Sequence, residues 1–153
     1  MDALIDAVLA TYPSWSLLVV RLALGVVFFA HGAQKVFGWF GGRGLAETIR
    51  GFQGMGVPPA AATLAAFIEL LGGCAMVTGL LARPAAVGII IVMLVAIAKV
   101  HGRHGFFLNA GVPGKGPGFE FNFALMGMAL AVLIGGAGVL SADRAIWFAL
   151  AAR

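Results

Sequence analysis

Charge is what this chain has least of. Ten of its 153 residues are Lys or Arg and six are Asp or Glu, so only 10% are charged, against about 25% in an ordinary soluble domain. With 61% hydrophobic residues and a mean hydropathy of +1.03, there is too little polar surface to face water on all sides, which excludes a soluble globular domain. A second thiol is lacking as well. Cys74 is the single cysteine, so the chain can make no intramolecular disulfide and run no dithiol chemistry. The basic residues form no block. They are scattered among helix ends and loops, so the isoelectric point near 10 points to membrane topology and site residues and excludes nucleic acid as a partner. There is no phosphate loop, no dinucleotide fingerprint and no Ser–His–Asp arrangement. No pair of the three histidines has the spacing of a metal motif, so neither a metal nor a haem site is expected. A basic leader is missing too: Asp2 and Asp6 precede the first apolar run, which is therefore expected to remain as a helix instead of being cleaved as a signal.

What the chain does have is apolar length. Four runs, Trp15 to Phe37, Ala60 to Leu81, Pro84 to Val100 and Phe121 to Leu140, each approach the ~20 residues that cross a ~30 Å hydrocarbon core at ~1.5 Å per residue. They predict an all-α membrane protein, one domain over residues 1–153, with four transmembrane helices at about 15–37, 60–81, 84–100 and 119–140 in an antiparallel bundle. The connection from Leu81 to Pro84 is so short that the helices it joins must be antiparallel neighbours. After a Gly-rich break, Leu45, Ile49 and Phe52 share one face opposite Glu47 and Arg50, the pattern of a short amphipathic helix at the interface between the first two spans. The segment from Gly105 to Gly118 begins aromatic and continues rich in Gly and Pro, so it should be an irregular loop folded back over the mouth of the bundle. Residues 1–13 should lie along the membrane surface. Counting Lys35, Arg43, Arg50, Lys99, Arg103 and Lys115 on the long loops against Arg83, Arg144 and Arg153 on the terminal side, the positive-inside rule puts the long loops in the cytoplasm.

Glu69 stands alone in the middle of the second run, where an acid costs roughly 2.5–3.5 kcal/mol to insert. It shares a helical stripe with Ala62, Ala65, Gly72, Gly73 and Met76, the small-residue surface that lets helices approach closely, so it should face the bundle interior. Arg21, on the first run, lies at a depth from which a long side chain can reach it. A direct structural ion pair between Arg21 and Glu69 is therefore expected, since paired charges are the tolerable form of charge in lipid.

A second polar group gathers at the long-loop end: His31, Gln34 and Lys35 from the first run, Lys99, His101, Arg103 and His104 after the third, and Glu120 and Asn122 at the start of the fourth, bordered by Phe106, Phe107 and Phe119. A cup with a polar floor and an aromatic rim can hold a quinone headgroup, whose carbonyls need donors and whose ring needs an apolar slot. It can equally hold a small anion, and Lys99, Arg103 and His104 can simply meet lipid phosphate. The candidate ligand-binding residues are His31, Lys35, Glu69, Lys99, His101, Glu120 and Asn122; no residue is singled out as catalytic. A different class of function, a carrier of protons or a small solute with Glu69 as its proton site, or a scaffold subunit of a membrane complex, stays open, although the repeated halves and broken helices of many carriers are not visible.

Arg21, Gly25, Phe28, His31, Gly32 and Lys35, then Glu69, Gly72 and Gly73, Gly79 to Arg83, His101, Gly105 to Phe107, Gly118 to Phe121, and Ser141 and Asp143, in that order over residues 17 to 144, resemble the DoxX family. The resemblance implies a small four-helix protein of the bacterial inner (plasma) membrane acting as a redox partner, some relatives being subunits of thiosulfate:quinone oxidoreductase. Together with the polar cup it points to a quinone as ligand. Since the chain has no thiol pair and no cofactor motif, no covalently bound cofactor is expected, and electrons should come from a partner protein or a bound substrate, the chain working with that partner or as a homo-oligomer in the lipid bilayer. The family's recurring polar positions match Arg21, Lys35, Glu69, His101 and Glu120.

Overall fold

A computed structural model describes residues 3–152, and among these every regular element is a helix. The elements are α1 (Ala3–Leu9), α2 (Trp15–Val36), α3 (Gly44–Gly54), α4 (Pro59–Thr78), α5 (Ala82–Ala96), α6 (Glu120–Gly135) and α7 (Ala142–Ala151). Local chemistry sets their ends. Ser14 caps α2 by accepting the Leu17 N–H at 3.2 Å, α4 opens on Pro59, where a missing N–H costs nothing, and it stops at Gly79, whose φ of 68° suits glycine.

Trp15–Val36, Pro59–Thr78 and Ala82–His104 are long and apolar enough to cross a membrane. The last of these is α5 continued by a π-helical turn (Ile97–His101) and a short 3₁₀ turn (Gly102–His104). The fourth apolar run is helical only over Glu120–Gly135, not to residue 140, because Gly136 and Gly138 adopt φ of 79° and 76° and turn the chain away. Val26, Leu64, Leu71, Ile91, Phe123, Leu130 and Ile134 leave large side chains exposed along these rods, a distribution that a bilayer tolerates and water does not.

Contacts run from α2 to α4, α4 to α5, α5 to α6 and α6 back to α2, around a core that includes Leu24, Phe28, Met76, Ile89, Leu125 and Val132. The α2–α4 contact is the closest. A Cβ on Gly32 would fall inside the backbone of Leu70, and one on Gly73 inside the backbone of Phe29, so the two helices cross with main chain against main chain, as small residues permit. Since Gly25 faces Met76 while Gly32 faces Leu70, α2 and α4 run in opposite directions, which carries Lys35 near the start of α4 and Arg21 near its end.

The amphipathic segment forms α3, with Leu45, Ile49 and Phe52 half-buried and Glu47 and Arg50 exposed. α1 and α7, neither foreseen as a helix, meet at the other end of the molecule, where the Trp147 Nε1–H donates to Asp6 at 2.9 Å. Between α6 and α7, Ser141 caps α7 and buried Asp143 reaches across to accept the N–H groups of Leu81 and Ala82 at 2.6 and 2.9 Å. A carboxylate at the first turn of α5 satisfies two otherwise orphan donors. Asp143→Ala is expected to lower stability by about 1–2 kcal/mol through that lost cap, measured as thermal unfolding in detergent; an unchanged midpoint would show that the cap contributes nothing.

Candidate functional site

Arg21 does not meet Glu69. The guanidinium is fully buried and donates to four main-chain carbonyls: Nε to Ala137 at 2.9 Å, Nη1 to Met76 and to Val77 at 2.7 Å for the latter, and Nη2 to Leu140 at 3.2 Å. Met76 and Val77 belong to the last turn of α4, where helix carbonyls have no internal partner and the dipole favours a cation. The pairing expected from depth alone fails because the carbonyls lie on the terminal side, toward which Arg21 extends. Asp143 lies close enough to feel this charge. Burial pushes its carboxyl above the ordinary carboxylate range, while the Ala82 and Leu81 N–H groups and the Arg21 and Arg83 charges pull the other way.

The partner of Glu69 is Lys35. Its ammonium lies 2.5 Å from both carboxylate oxygens, with the hydrogen bond to Oε1, while Oε2 is buried without a donor of its own. One lysine of α2 and one glutamate of α4 are thus locked where the two backbones approach most closely. The pair is lopsided: the Glu69 side chain is 4% exposed and that of Lys35 26%. Lys35 also has the Phe52 ring 5.7 Å away, which ties α3 to the same point.

Lys35 opens onto a cavity of about 300 Å³ whose polar lining is His31, Lys35, His101 and Asn122, and whose apolar lining includes Phe28, Met93, Phe121 and Leu125. Four of the seven candidate residues therefore share one space, and Glu69 stands behind it through Lys35. The π-helical turn widens the end of α5 and places His101 there. Its Nδ1 is 2.9 Å from the Pro117 carbonyl; because a carbonyl only accepts, Nδ1 carries the proton and a neutral ring leaves Nε2 as an acceptor. Asn122 is buried, and its amide donates only to the Met93 sulfur at 3.3 Å, a weak acceptor for a buried amide. His31 is exposed at the rim.

Two candidates are elsewhere. Glu120 accepts the Leu108 N–H at 2.9 Å and so ties down the loop; it does not line the cavity. Lys99 is exposed and borders a neighbouring cleft instead. The loop itself folds back as its composition suggested. The Gly118, Phe119 and Glu120 N–H groups bond to the carbonyls of Phe107, Gly105 and Phe106, and the Asn109 amide bonds to those of His104 and Gly116. Leu108, Pro117 and Gly118 thereby close one side of the cavity. Met93 and Leu125 carry no signal in the sequence beyond a place on an apolar helix. For Asp143 the signal was Ser141 two residues before it, a helix start just beyond a glycine cluster.

No solved structure matches the chain. A protein of Bacillus subtilis (strain 168) named "Putative oxidoreductase CatD" is 29% identical over 126 residues, which cover 82% of this chain and 83% of that one. The DoxX family model matches residues 16–102, from the first turn of α2 to the turn after His101, so that it takes in Arg21, Lys35, Glu69 and His101 alike. This chain belongs to the DoxX family.

Proposed function

We propose that the protein is a multi-pass inner-membrane subunit of a quinone-linked redox system, in which α2, α4, α5 and α6 cross the bilayer as an antiparallel four-helix bundle and the cavity at its long-loop end binds the quinone headgroup. The observation that carries this reading is the composition of that cavity: an ammonium, an under-used buried amide and an imidazole nitrogen converge on a space walled by Phe28, Phe121 and Leu125. Lys35 and Asn122 supply donors for a quinone carbonyl, and His101 Nε2 supplies an acceptor for the hydroxyl of the quinol. The Bacillus subtilis relative, by its name "Putative oxidoreductase CatD", supports a redox reading.

Reduction of a quinone takes two electrons and two protons. With one thiol in the chain the electrons come from a partner, a redox protein or an oxidisable anion such as thiosulfate drawn by the basic rim. Protons reach the headgroup through the Lys35–Glu69 pair and His101. The excess of Lys and Arg on the long loops favours a cytoplasmic side for the cavity.

Binding of a decyl-chain quinone to purified protein, followed by absorbance difference, is the test. Asn122→Leu and His101→Leu are each expected to weaken it about tenfold, the loss of one well-placed hydrogen bond in a dry site. Wild-type protein with no quinone in its lipid extract and no saturable binding would sink the reading.

A further inference from the structure

The headgroup cavity is the first of three spaces in series. Lys35, Ala96 and His101 line it and also line a cleft of about 320 Å³ between α3, α4 and α5. That cleft shares Leu64 and Ile68 with a groove of about 630 Å³ that runs along the α4–α5 seam to Leu81 and Pro84. Polarity falls along the series, from two histidines, a lysine and an amide, through Lys35, Lys99 and His101 at the mouth of an otherwise apolar cleft, to a groove whose only polar side chains are Cys74 and Thr78. Gly72, Ala75, Ala85 and Gly88 keep the seam open by having little or no side chain. The free volume between α4 and α5 is a consequence of sequence, since larger residues at these four positions would fill it.

We propose that the ligand is a long-chain prenyl quinone whose tail leaves the cup between Lys35 and His101 and lies in the α4–α5 seam. This rests on the reading of the cup as a quinone headgroup site and names the kind of quinone. Length separates this occupant from a phospholipid. From His101 to Pro84 the seam follows α5 for about 25 Å, at ~1.5 Å per residue, most of the ~30 Å hydrocarbon thickness. An acyl chain of one leaflet reaches only about half of that thickness, whereas a polyprenyl tail can fill the whole seam. The basic end at Lys35 and Lys99 adds no attraction for a neutral quinone tail. Residues common to their linings set the polar chamber, the cleft and the apolar groove side by side along α4 and α5, in the order in which a headgroup and its tail would need them.

The experiment compares a decyl-chain quinone with a polyprenyl quinone carrying the same headgroup, titrated into purified wild-type protein and into Cys74→Trp and Ala85→Phe, each of which sets a ring in the seam far from the cup. Wild-type protein is expected to bind the polyprenyl quinone about tenfold tighter than the decyl form, from the extra apolar surface removed from water and detergent. Both variants are expected to hold decyl affinity within about twofold, which reports an intact cup and fold, and to lose the preference for the long tail. Equal affinity of wild-type protein for the two quinones overturns the seam assignment and leaves the headgroup reading standing. A preference that survives in both variants overturns it too, as does release of co-purified phospholipid from the variants with no change in either quinone. Failure of the wild-type protein to bind either quinone removes the headgroup reading and this inference together.

Discussion

Lys35→Met is expected to lower the stability of the protein by about 3–5 kcal/mol, the usual cost of stranding one member of a buried ion pair. Glu69→Gln should cost less, and the double variant less than Lys35→Met alone. The order follows from the unequal burial of the two ends. Without the ammonium, Glu69 keeps a carboxylate that is only 4% exposed and has lost the cation that lay 2.5 Å from both of its oxygens. Without the carboxylate, Lys35 is still 26% exposed on the side chain and has the Phe52 face nearby, so its stem can carry the charge toward the headgroup region. Removing both leaves nothing charged behind. Thermal unfolding of the two single variants and the double in one detergent measures the cycle. Additive losses would mean that the pair contributes no coupling and that the 2.5 Å contact carries no energetic weight.

Arg21→Met is expected to cost about 3 kcal/mol or more, and Glu69→Gln in the same chain should neither rescue nor deepen that loss. Arg21 satisfies the carbonyls of Ala137, Met76, Val77 and Leu140 at once, and each buried acceptor that loses its partner costs about 1–3 kcal/mol. Its forked donors pin the end of α4 to the irregular chain between α6 and α7. An ammonium is compact and cannot span four carbonyls, so Arg21→Lys should recover only part of the loss. The measurement is again thermal unfolding, with the Arg21→Met/Glu69→Gln double variant as the discriminator: a coupling above about 0.5 kcal/mol would show that these residues communicate after all.

Both results turn on a pairing that residue spacing misassigns. Depth along a helix was enough to show that Arg21 and Glu69 needed partners, because charge in an apolar run always does. It could not choose among them. Counted by rise per residue, a long arginine side chain reaches Glu69 from one side and a lysine reaches it from the other. What decides is which way each side chain extends and which main-chain acceptors are already free there. The last turn of α4 offers Met76 and Val77 carbonyls to a cation arriving from the terminal side, and these take Arg21 first. Glu120 went astray for a related reason. An acid at a helix start can face a cavity or a loop with equal ease, and the free N–H of Leu108, created only when the loop folds back, draws it to the loop.

Composition and periodicity by themselves determined that the chain is helical, that it carries apolar runs near membrane-crossing length, that α3 is amphipathic and that residues 105–118 form no regular helix; all of these depend on local chemistry, on the number of consecutive apolar side chains or the presence of glycine and proline. The sequence suggested four crossing helices, and the structure shows three of that length, the fourth ending at Gly135. The gathering of His31, Lys35, His101 and Asn122 was partly legible too, because all four sit at the same end of their helices once the connections are short. Only the tertiary structure decided that Lys35 pairs with Glu69, that Arg21 belongs to the carbonyls, that Asp143 caps α5 and that Lys99 faces a different space. Those assignments are set by helix rotation and by the main-chain crossing at Gly32 and Gly73. A contact between side chains more than thirty residues apart depends on both helices' positions together, and no local pattern in either one records the other.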